Sequence, residues 1–314
     1  MKKDFSSRSI VAIVGGGAWG SVLASLIGRN AHEVRVWVRD EESAREMNAG
    51  KSAPRYLTDF RFPETVRIMS DIERVLNGEP NVVIWALPAK AGRERAKEFA
   101  KYFNGSELVL HATKGIEEGS MKRVSQILVE ELPLRRVGVI SGPNLAQEIA
   151  REEPAATVIA SAFDEVVQVG TDLLKNPFFR VYPASDVAGV EWAGTLKNIY
   201  AIASGMLDAL NYGQNARSLL LTRGLAEMVR FGVVMGADAG TFLGLAGVGD
   251  LMATCSSPLS RNYRVGVSLA QGNSLDQALT ELQLTAEGVR TTQIVAEFAR
   301  ERRIPMPIAD ALYS

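Results

Sequence analysis

The chain has 314 residues, of which 46% are hydrophobic and 23% charged, and its formal net charge at pH 7 is −1. These values are ordinary for a globular protein, and the length is enough for two domains. A near-neutral charge gives no general attraction to nucleic acid or to an anionic membrane surface. The sequence contains no apolar run near the roughly 20 residues that span a bilayer, and its one cysteine, Cys255, excludes an internal disulfide. We therefore expect a cytoplasmic protein that neither binds nucleic acid nor inserts into a membrane.

The first half of the chain alternates short apolar runs with amphipathic segments. Near-continuous runs of Val, Ile and Leu predict strands that are buried on both faces, and their alternation with helices predicts a mostly parallel, doubly wound sheet. The predicted strands are 9–14, 33–38, 66–69, 81–87, 107–112 and 136–140. The predicted helices are 18–29, 41–49, 72–77, 89–102, 120–131 and 144–150. Two further runs, 157–161 and 179–182, flank a helix and are expected to extend the sheet at one edge.

The pattern changes near residue 186, after which helical segments that contain glycines replace the strands. The predicted helices of this second half are 190–210, 216–235, 239–243, 247–255, 261–271, 274–280 and 288–302. The sequence thus predicts an α/β, Rossmann-like domain over residues 1–186, followed by an all-helical C-terminal domain over residues 187–314.

A glycine-rich turn follows the first predicted strand. Gly15, Gly17 and Gly20 have the spacing G-x-G-x-x-G between a β-branched run and a helical segment. In such a turn the first glycine allows a tight bend, the second allows a pyrophosphate to approach the backbone, and the third allows helix and strand to pack closely. The start of the helix then presents free N–H groups to the phosphates. We therefore interpret residues 1–186 as a dinucleotide-binding domain.

The second predicted strand is followed by Arg39 and Asp40. An acid at this point of a dinucleotide-binding fold contacts the adenosine ribose of NAD, whereas an arginine accommodates the 2′-phosphate of NADP. This pair of residues leaves the choice between NAD and NADP open, although the arginine mildly favours an enzyme that tolerates NADP. The alternative is an exposed pair of charges at a strand end.

Two later strand ends also carry polar residues, and ligands of open α/β sheets gather at such ends. Lys114 lies just beyond the strand 107–112, where a lysine can hold a phosphate or polarise a carbonyl group. The strand 136–140 is followed by Ser141, Gly142, Pro143 and Asn144 at the start of a helix. The alternative for Lys114 is an ordinary exposed loop lysine.

Three features of the helical half can carry chemistry. Lys197 lies inside an otherwise apolar helix pattern; a buried lysine has a lowered pKa, which suits proton transfer to a carbonyl oxygen. The alternative is a lysine whose stem runs along the helix to solvent. Asp250 offers a carboxylate among glycines, and Ser260 is a candidate N-cap with Arg261 and Asn262 in the first turn, where anions are favoured. An ordinary cap followed by a surface arginine is the alternative there.

In their order and spacing, these motifs resemble the bacterial-type NAD(P)-dependent glycerol-3-phosphate dehydrogenase family. The resemblance runs from about Val11 to Tyr313. The motifs that carry it are 15–20, 32–39, 112–115, 141–143, 196–198, 215–217, 222–228, 247–251, 260–262 and 287–288. It implies reversible hydride transfer between NAD(P)H and dihydroxyacetone phosphate, which yields sn-glycerol 3-phosphate for phospholipid synthesis. It also implies a homodimer that needs no metal.

The resemblance further implies roles for individual residues. Lys197 would be the proton donor and acceptor at the C2 oxygen of the substrate, and Asp250 would help to hold the Lys197 side of the site. The implied substrate contacts are Lys114, Gly142, Asn144, Lys197, Asn198, Asp250, Ser260, Arg261 and Asn262. The implied cofactor contacts are Gly15, Gly17, Ala18, Trp19, Gly20, Arg39, Lys114, Ala146, Arg261 and Glu287.

The sequence departs from the family pattern at a few positions. Gly16 and Ala18 stand where many relatives carry Ala and Ser, and Asn144 stands where Ser or Thr is frequent. Relatives usually continue by one more helix beyond the position of Ser314. Two other functions are compatible with this fold: a dehydrogenase that acts on a hydroxy acid, like the related β-hydroxyacid dehydrogenases, and a non-catalytic module that senses dinucleotides. The combination of Lys114, Lys197 and Asp250 speaks against the second, since a sensor needs none of them.

Overall fold

The computed structural model describes residues 9–30, 32–50, 57, 59–77, 80–282 and 287–314. They form two compact units. The first unit consists of the chain up to Thr113, Val124–Ile140 and Ala146–Ser185. The second consists of Lys114–Arg123, Ser141–Leu145 and Asp186–Ser314, so that two segments from the first half of the chain belong to it. The predicted domain boundary after residue 186 stays a prediction.

The first unit is built on one eight-stranded sheet. Its strands are β1 (Ile10–Val14), β2 (Glu33–Trp37), β3 (Val66–Met69), β4 (Val82–Trp85), β5 (Leu108–His111), β6 (Arg136–Ser141), β7 (Ala155–Ser161) and β8 (Phe179–Ala184). Their order in the sheet is β3-β2-β1-β4-β5-β6-β7-β8. The pairs β1–β2, β2–β3, β1–β4, β4–β5, β5–β6 and β7–β8 are parallel. This mostly parallel, doubly wound sheet confirms the predicted fold class.

In the described part of the first unit, the α-helices that accompany the sheet are α1 (Ala18–Arg29), α2 (Glu41–Asn48), α3 (Ile72–Leu76), α4 (Gly92–Phe99), α5 (Val124–Glu131), α6 (Ala146–Ala150) and α7 (Asp164–Leu174). They cover both faces of the sheet. Along β1, Val11 and Ile13 lie in one buried cluster, whereas Ala12 and Val14 lie in another on the opposite face. Alternate side chains of a strand point to opposite faces, so a strand that is buried on both sides must be apolar throughout.

The centre of the sheet is where the order of the strands reverses. The chain adds β2 and β3 on one side of β1 and then returns to add β4 on the other side. Such a reversal opens a crevice beyond the carboxyl ends of the strands, which is the usual ligand position in open α/β sheets. The turn after β1 lies at this crevice.

Of the residues from 187 onward, those that the structure describes form helices and the turns between them. The α-helices of this second unit are α8 (Val187–Ala209), α9 (Gln214–Val234), α10 (Asp250–Ser256), α11 (Arg261–Ala270), α12 (Leu275–Glu281), α13 (Glu287–Arg302) and α14 (Pro307–Tyr313). Every residue from 189 to 205 of α8 is buried, and α9, α10, α11, α13 and α14 pack against it. A helix that is buried on all sides is the core of its unit. Within the described ranges the chain has no strand after residue 186, as predicted. None of the described helices combines the length and apolar character that a membrane span needs.

The structure corrects the start of two predicted helices and adds one helix that was not predicted. The helix predicted over 120–131 begins only at Val124, because Ile116 and Arg123 form an antiparallel bridge ahead of it. The helix predicted over 247–255 begins at Asp250 and follows a π-helical turn. We did not predict α14, although a proline in the first turn, here Pro307, is compatible with the start of a helix.

Candidate active site

The first part of the candidate site is the turn between β1 and α1, residues 15–20, which we name the glycine turn. Gly15 has φ +121°, and a Cβ atom there would lie 2.7 Å from the carbonyl oxygen of Ala86. At Gly20, a Cβ atom would lie 2.0 Å from the carbonyl oxygen of Gly15. Both contacts are with backbone that cannot move aside, so the turn requires glycine at these two positions.

The glycine turn leaves the beginning of α1 without a capping side chain. The N-cap residue is Gly17, no side chain bonds to the first-turn N–H groups, and the first turn contains no acidic residue. A Cβ atom on Gly17 would meet nothing within 4 Å. Free N–H groups, the positive end of the helix dipole and open space together suit an anion such as a pyrophosphate. Ala18 and Trp19 are partly buried and pack against the core of the first unit.

The two charged residues after β2 have different surroundings. Asp40 is the N-cap of α2, and its carboxylate accepts a hydrogen bond of 2.7 Å from the backbone N–H of Ser43. This hydrogen bonding to Ser43 lowers the pKa of Asp40. Arg39 is exposed. The carboxylate is therefore engaged with α2, while the guanidinium faces solvent.

The second part of the candidate site is a cluster of charged side chains in the helical unit, which we name the lysine cluster. Asp250, the first residue of α10, accepts from Lys197 of α8 through Oδ1 and from Lys114 through Oδ2, the latter at 2.6 Å. Lys197 Nζ also donates to Thr254 Oγ1 at 2.6 Å, and Lys114 Nζ donates to the carbonyl oxygen of Gly142 at 3.2 Å. One carboxylate is thus shared by two ammonium groups.

The lysine cluster is buried to different depths. The side chain of Asp250 is 1% exposed and that of Lys197 is 7%, whereas that of Lys114 is 22%. Burial lowers the pKa of Lys197 to about 7, although the Asp250 carboxylate acts to raise it; the charge of Lys114 lowers it further. The reading of Lys197 as a lysine that reaches solvent is therefore wrong. At neutral pH its amine can both give and take a proton.

A third group of predicted residues lies at the start of α11. Ser260 is its N-cap, as predicted, and accepts from the backbone N–H of Tyr263 at 3.3 Å. Arg261 is exposed in the first turn. The side chain of Asn262 lies on Gly288, where a Cβ atom would be 2.1 Å from Asn262 Oδ1. Asn262 is therefore next to the start of α13, which begins at Glu287.

The remaining predicted residues are more scattered. Asn144 is partly buried between β6 and α6, and Ala146 begins α6 and packs against the core of the first unit. Asn198 is buried beside Lys197 on α8. Within the described residues, no hydrogen bond connects Asn198, Ser260 or Arg261 to the charged atoms of the lysine cluster. The described residues also contain no group of three His, Cys, Asp or Glu side chains arranged to hold a metal ion.

Two members of the site were not predicted. Thr254 follows Asp250 by one helical turn and donates to Asp250 Oδ1 at 3.3 Å; the spacing i, i+4 in a predicted helix is a signal that could have identified it. Thr195 accepts a hydrogen bond of 3.1 Å from the backbone N–H of Gly115, the residue after Lys114. The local sequence contains no signal for that contact, because the two residues are 80 positions apart.

Two family models match successive parts of the chain. The family model for the N-terminus of NAD-dependent glycerol-3-phosphate dehydrogenase matches residues 10–167, and the model for its C-terminus matches residues 186–314. The chain belongs to the NAD-dependent glycerol-3-phosphate dehydrogenase family. The resemblance stated from the sequence is thereby confirmed.

Individual members of the glycerol-3-phosphate dehydrogenase family match over nearly their whole length. Glycerol-3-phosphate dehydrogenase [NAD(P)+] of Pseudomonas syringae pv. syringae is 46% identical over 309 residues, which cover 98% of this chain and 90% of that protein. The enzyme of the same name from Alcanivorax borkumensis is 45% identical over 96% of this chain and 88% of that protein. The crystal structure of glycerol-3-phosphate dehydrogenase from Coxiella burnetii has a TM-score of 0.92 at 35% identity, and covers 98% of this chain and 94% of that one.

Proposed function

We propose that this member of the family catalyses the reversible, NAD(P)H-dependent reduction of dihydroxyacetone phosphate to sn-glycerol 3-phosphate, and so supplies glycerol 3-phosphate for phospholipid synthesis. The observation that carries the proposal is the lysine cluster, in which Lys197 is buried against Asp250 with its pKa lowered to about 7. Relatives that are 45–46% identical over nearly the whole chain are dehydrogenases of this name.

Lys197 is the proposed proton donor. A bound nicotinamide supplies hydride chemistry at the substrate carbon C2. When the ketone oxygen gains negative charge, the ammonium of Lys197 gives it a proton, and the product hydroxyl results. In the reverse direction the neutral amine of Lys197 takes that proton from the C2 hydroxyl. Asp250 holds the amine by accepting a hydrogen bond from it, and Thr254 accepts a second hydrogen bond that restricts its orientation.

The substrate phosphate is the proposed partner of the start of α11. This helix has ten residues, and its first turn carries Arg261 and Asn262 beyond the Ser260 cap. A guanidinium beside free helix N–H groups favours a phosphate dianion. Lys114, Gly142, Asn144 and Asn198 are the further proposed substrate contacts.

The glycine turn is the proposed seat of the cofactor pyrophosphate. Gly15, Gly17 and Gly20 shape the turn, and Ala18 and Trp19 lie in the first turn of α1. The further proposed cofactor contacts are Arg39, Lys114, Ala146, Arg261 and Glu287. The proposed cofactor is NAD or NADP; because Asp40 is engaged as the N-cap of α2, the exposed Arg39 favours tolerance of the NADP 2′-phosphate.

A homodimer in the cytoplasm is the proposed working form. Cys255, the one cysteine, is a buried free thiol, which suits a reducing compartment. Size-exclusion chromatography with light scattering tests the dimer, which a monomer at micromolar concentration would contradict.

Replacement of Lys197 tests the proposed reaction. Lys197→Met keeps the aliphatic stem and removes the amine. We expect kcat for reduction of dihydroxyacetone phosphate to fall at least about 1,000-fold, since general acid catalysis contributes on the order of 10² to 10⁴, while NADPH binding measured by fluorescence stays within about threefold of the wild type. Lys97→Met, at a side chain that is 62% exposed, is the matched control and should leave both quantities unchanged. Turnover by Lys197→Met within tenfold of the wild type would sink the proposal.

A further inference from the structure

A short hairpin carries Lys114 into the lysine cluster. Residues 114–123 belong to the helical unit, although the chain on either side of them belongs to the first unit. Ile116 and Arg123 form an antiparallel bridge, and the backbone N–H of Glu117 donates to the carbonyl oxygen of Lys122 at 3.0 Å. Ile116 is 7% exposed and lies in the core of the helical unit. The hairpin is therefore a packed element, and Lys114 is its first residue.

Both ends of the hairpin are attached to α8. At the Lys114 end, the buried backbone N–H of Gly115 donates to Thr195 Oγ1 at 3.1 Å. At the other end, the guanidinium of Arg123 forms an ion pair with Glu191, whose side chain is 3% exposed. Thr195 and Glu191 are four residues apart and lie on the same face of α8. The two attachments are thus one turn apart on a rigid helix.

The side chain of Lys114 runs along the same part of α8. A Cβ atom on Gly194 would lie 3.5 Å from Lys114 Cγ and 2.7 Å from Ser141 Oγ. Gly194 thus leaves the space through which the lysine stem passes toward Asp250. The stem of Lys114 thus lies against Gly194, and its ammonium binds Asp250. The position of the backbone at Gly115 also determines where the Lys114 ammonium can lie.

We propose that Thr195 is a positioning residue for the reaction: by accepting the Gly115 N–H it fixes the base of Lys114 and keeps the Lys114 ammonium on Asp250. This proposal rests on the proposed function, because it assumes that Lys197 transfers the proton. It also assumes that Lys114, which binds the other carboxylate oxygen of Asp250, influences the protonation of Lys197. Thr195 does not itself touch the reacting atoms. Its hydroxyl acts through the backbone of the hairpin.

The position of Lys114 affects the pKa of Lys197. The charged groups that act on it are Asp250 from α10, which raises its pKa, and Lys114 from the hairpin, which lowers it. Cys255 of α10 is also near, but burial raises the pKa of its thiol to about 12, so it stays neutral over the working range. If Lys114 moves away from Asp250, the carboxylate acts on Lys197 alone. The pKa of Lys197 then rises.

The experiment compares three replacements of Thr195 with the wild-type enzyme. Thr195→Val has nearly the same shape and lacks the acceptor, Thr195→Ala removes the hydroxyl without adding a methyl group, and Thr195→Ser keeps the hydroxyl. Loss of one hydrogen bond corresponds to an effect of about three- to tenfold. We expect Thr195→Val and Thr195→Ala to lower kcat/KM for dihydroxyacetone phosphate by about that factor and to shift the pH midpoint of kcat/KM upward. Thr195→Ser should match the wild type in both respects.

Two results would overturn the positioning role. The first is an unchanged pH midpoint in both Thr195→Val and Thr195→Ala, because a merely structural role lowers stability or yield without moving the titration of Lys197. The second is a Thr195→Ser variant with the same loss and shift as Thr195→Val. Failure of the proposed function is seen separately, as retained turnover in Lys197→Met. An inactive Lys197→Met together with unshifted Thr195 variants rejects the role of Thr195 alone.

Discussion

The glycine turn and the lysine cluster prepare for their ligands by opposite means. The glycine turn acts through backbone: Gly15 and Gly20 permit close contacts, and the start of α1 presents N–H groups without any ionisable side chain. The lysine cluster acts through three charged side chains: Asp250 and Lys197 are buried, Lys114 is partly buried, and the pKa of Lys197 is lowered to about 7. We therefore expect substitutions in the glycine turn to change cofactor affinity at every pH. Substitutions in the lysine cluster should instead change turnover in a way that depends on pH.

Among substitutions that keep Lys197, the largest effect is expected from Asp250→Asn. It leaves Lys114 and Lys197 without their shared counter-charge, and the pKa of Lys197 falls because the carboxylate that raised it is gone. We expect kcat for the reduction at pH 7.5 to drop on the order of 100- to 1,000-fold, since the acid is then mostly deprotonated and poorly placed. NADPH binding should change little.

Asp172→Asn is the matched control for this substitution, because Asp172 also pairs with a lysine, at 2.6 Å, but is 41% exposed. Exposed pairs contribute little, and steady-state rates should be those of the wild type. An Asp250→Asn enzyme within tenfold of wild-type kcat would remove the distinction between the two regions.

A smaller effect, confined to the cofactor, is expected from Gly17→Ala. The added methyl group meets no protein atom within 4 Å, so the thermal midpoint should be unchanged. The same methyl group stands where the pyrophosphate approaches the backbone, and we expect the Kd for NADH to rise about tenfold at both pH 6.5 and pH 8.5. Gly92→Ala at the start of α4 also meets nothing within 4 Å and should leave the Kd unaltered. A wild-type Kd in Gly17→Ala would mean that the pyrophosphate does not lie on the glycine turn.

The smallest effect is expected from Arg39→Ala, which probes the rim of the cofactor seat. Because Asp40 is engaged as the cap of α2, the guanidinium of Arg39 is the group available to a 2′-phosphate. We expect kcat/KM for NADPH to fall about three- to tenfold and that for NADH to change less than about twofold, as befits an exposed ion pair. Arg45→Ala, at an exposed position of α2, is the control. Equal losses with both cofactors would show that Arg39 does not discriminate between them.

The sequence predicted these two regions to different degrees. The bounds of α1, Ala18–Arg29, match the predicted helix at both ends, because strand, turn and helix are consecutive and each step has a local signal. The members of the lysine cluster come from segments up to 136 residues apart. The sequence and the family resemblance named Lys114, Lys197 and Asp250, but only the folded chain shows that one carboxylate joins both lysines.

The residues that sequence reasoning did not identify depend on contacts between distant segments. Thr195 reads as one more small residue of an apolar helix, and its task appears only when Gly115 is placed against it. The late start of α5 has the same origin, since the hairpin ending at Arg123 competes with helix in a sequence that suits either. Local propensity cannot decide such cases, because tertiary packing overrides it.

The pH dependence of kcat/KM in the two directions tests the central claim, that Lys197 is the proton-transferring group with a lowered pKa. Reduction of dihydroxyacetone phosphate needs the ammonium form, so its kcat/KM should fall as the pH rises through about 7. Oxidation of glycerol 3-phosphate needs the neutral amine, so its kcat/KM should rise through the same pH, and both limbs should be missing from the residual activity of Lys197→Met. Limbs near pH 10, or limbs of the same sign in both directions, would contradict the account.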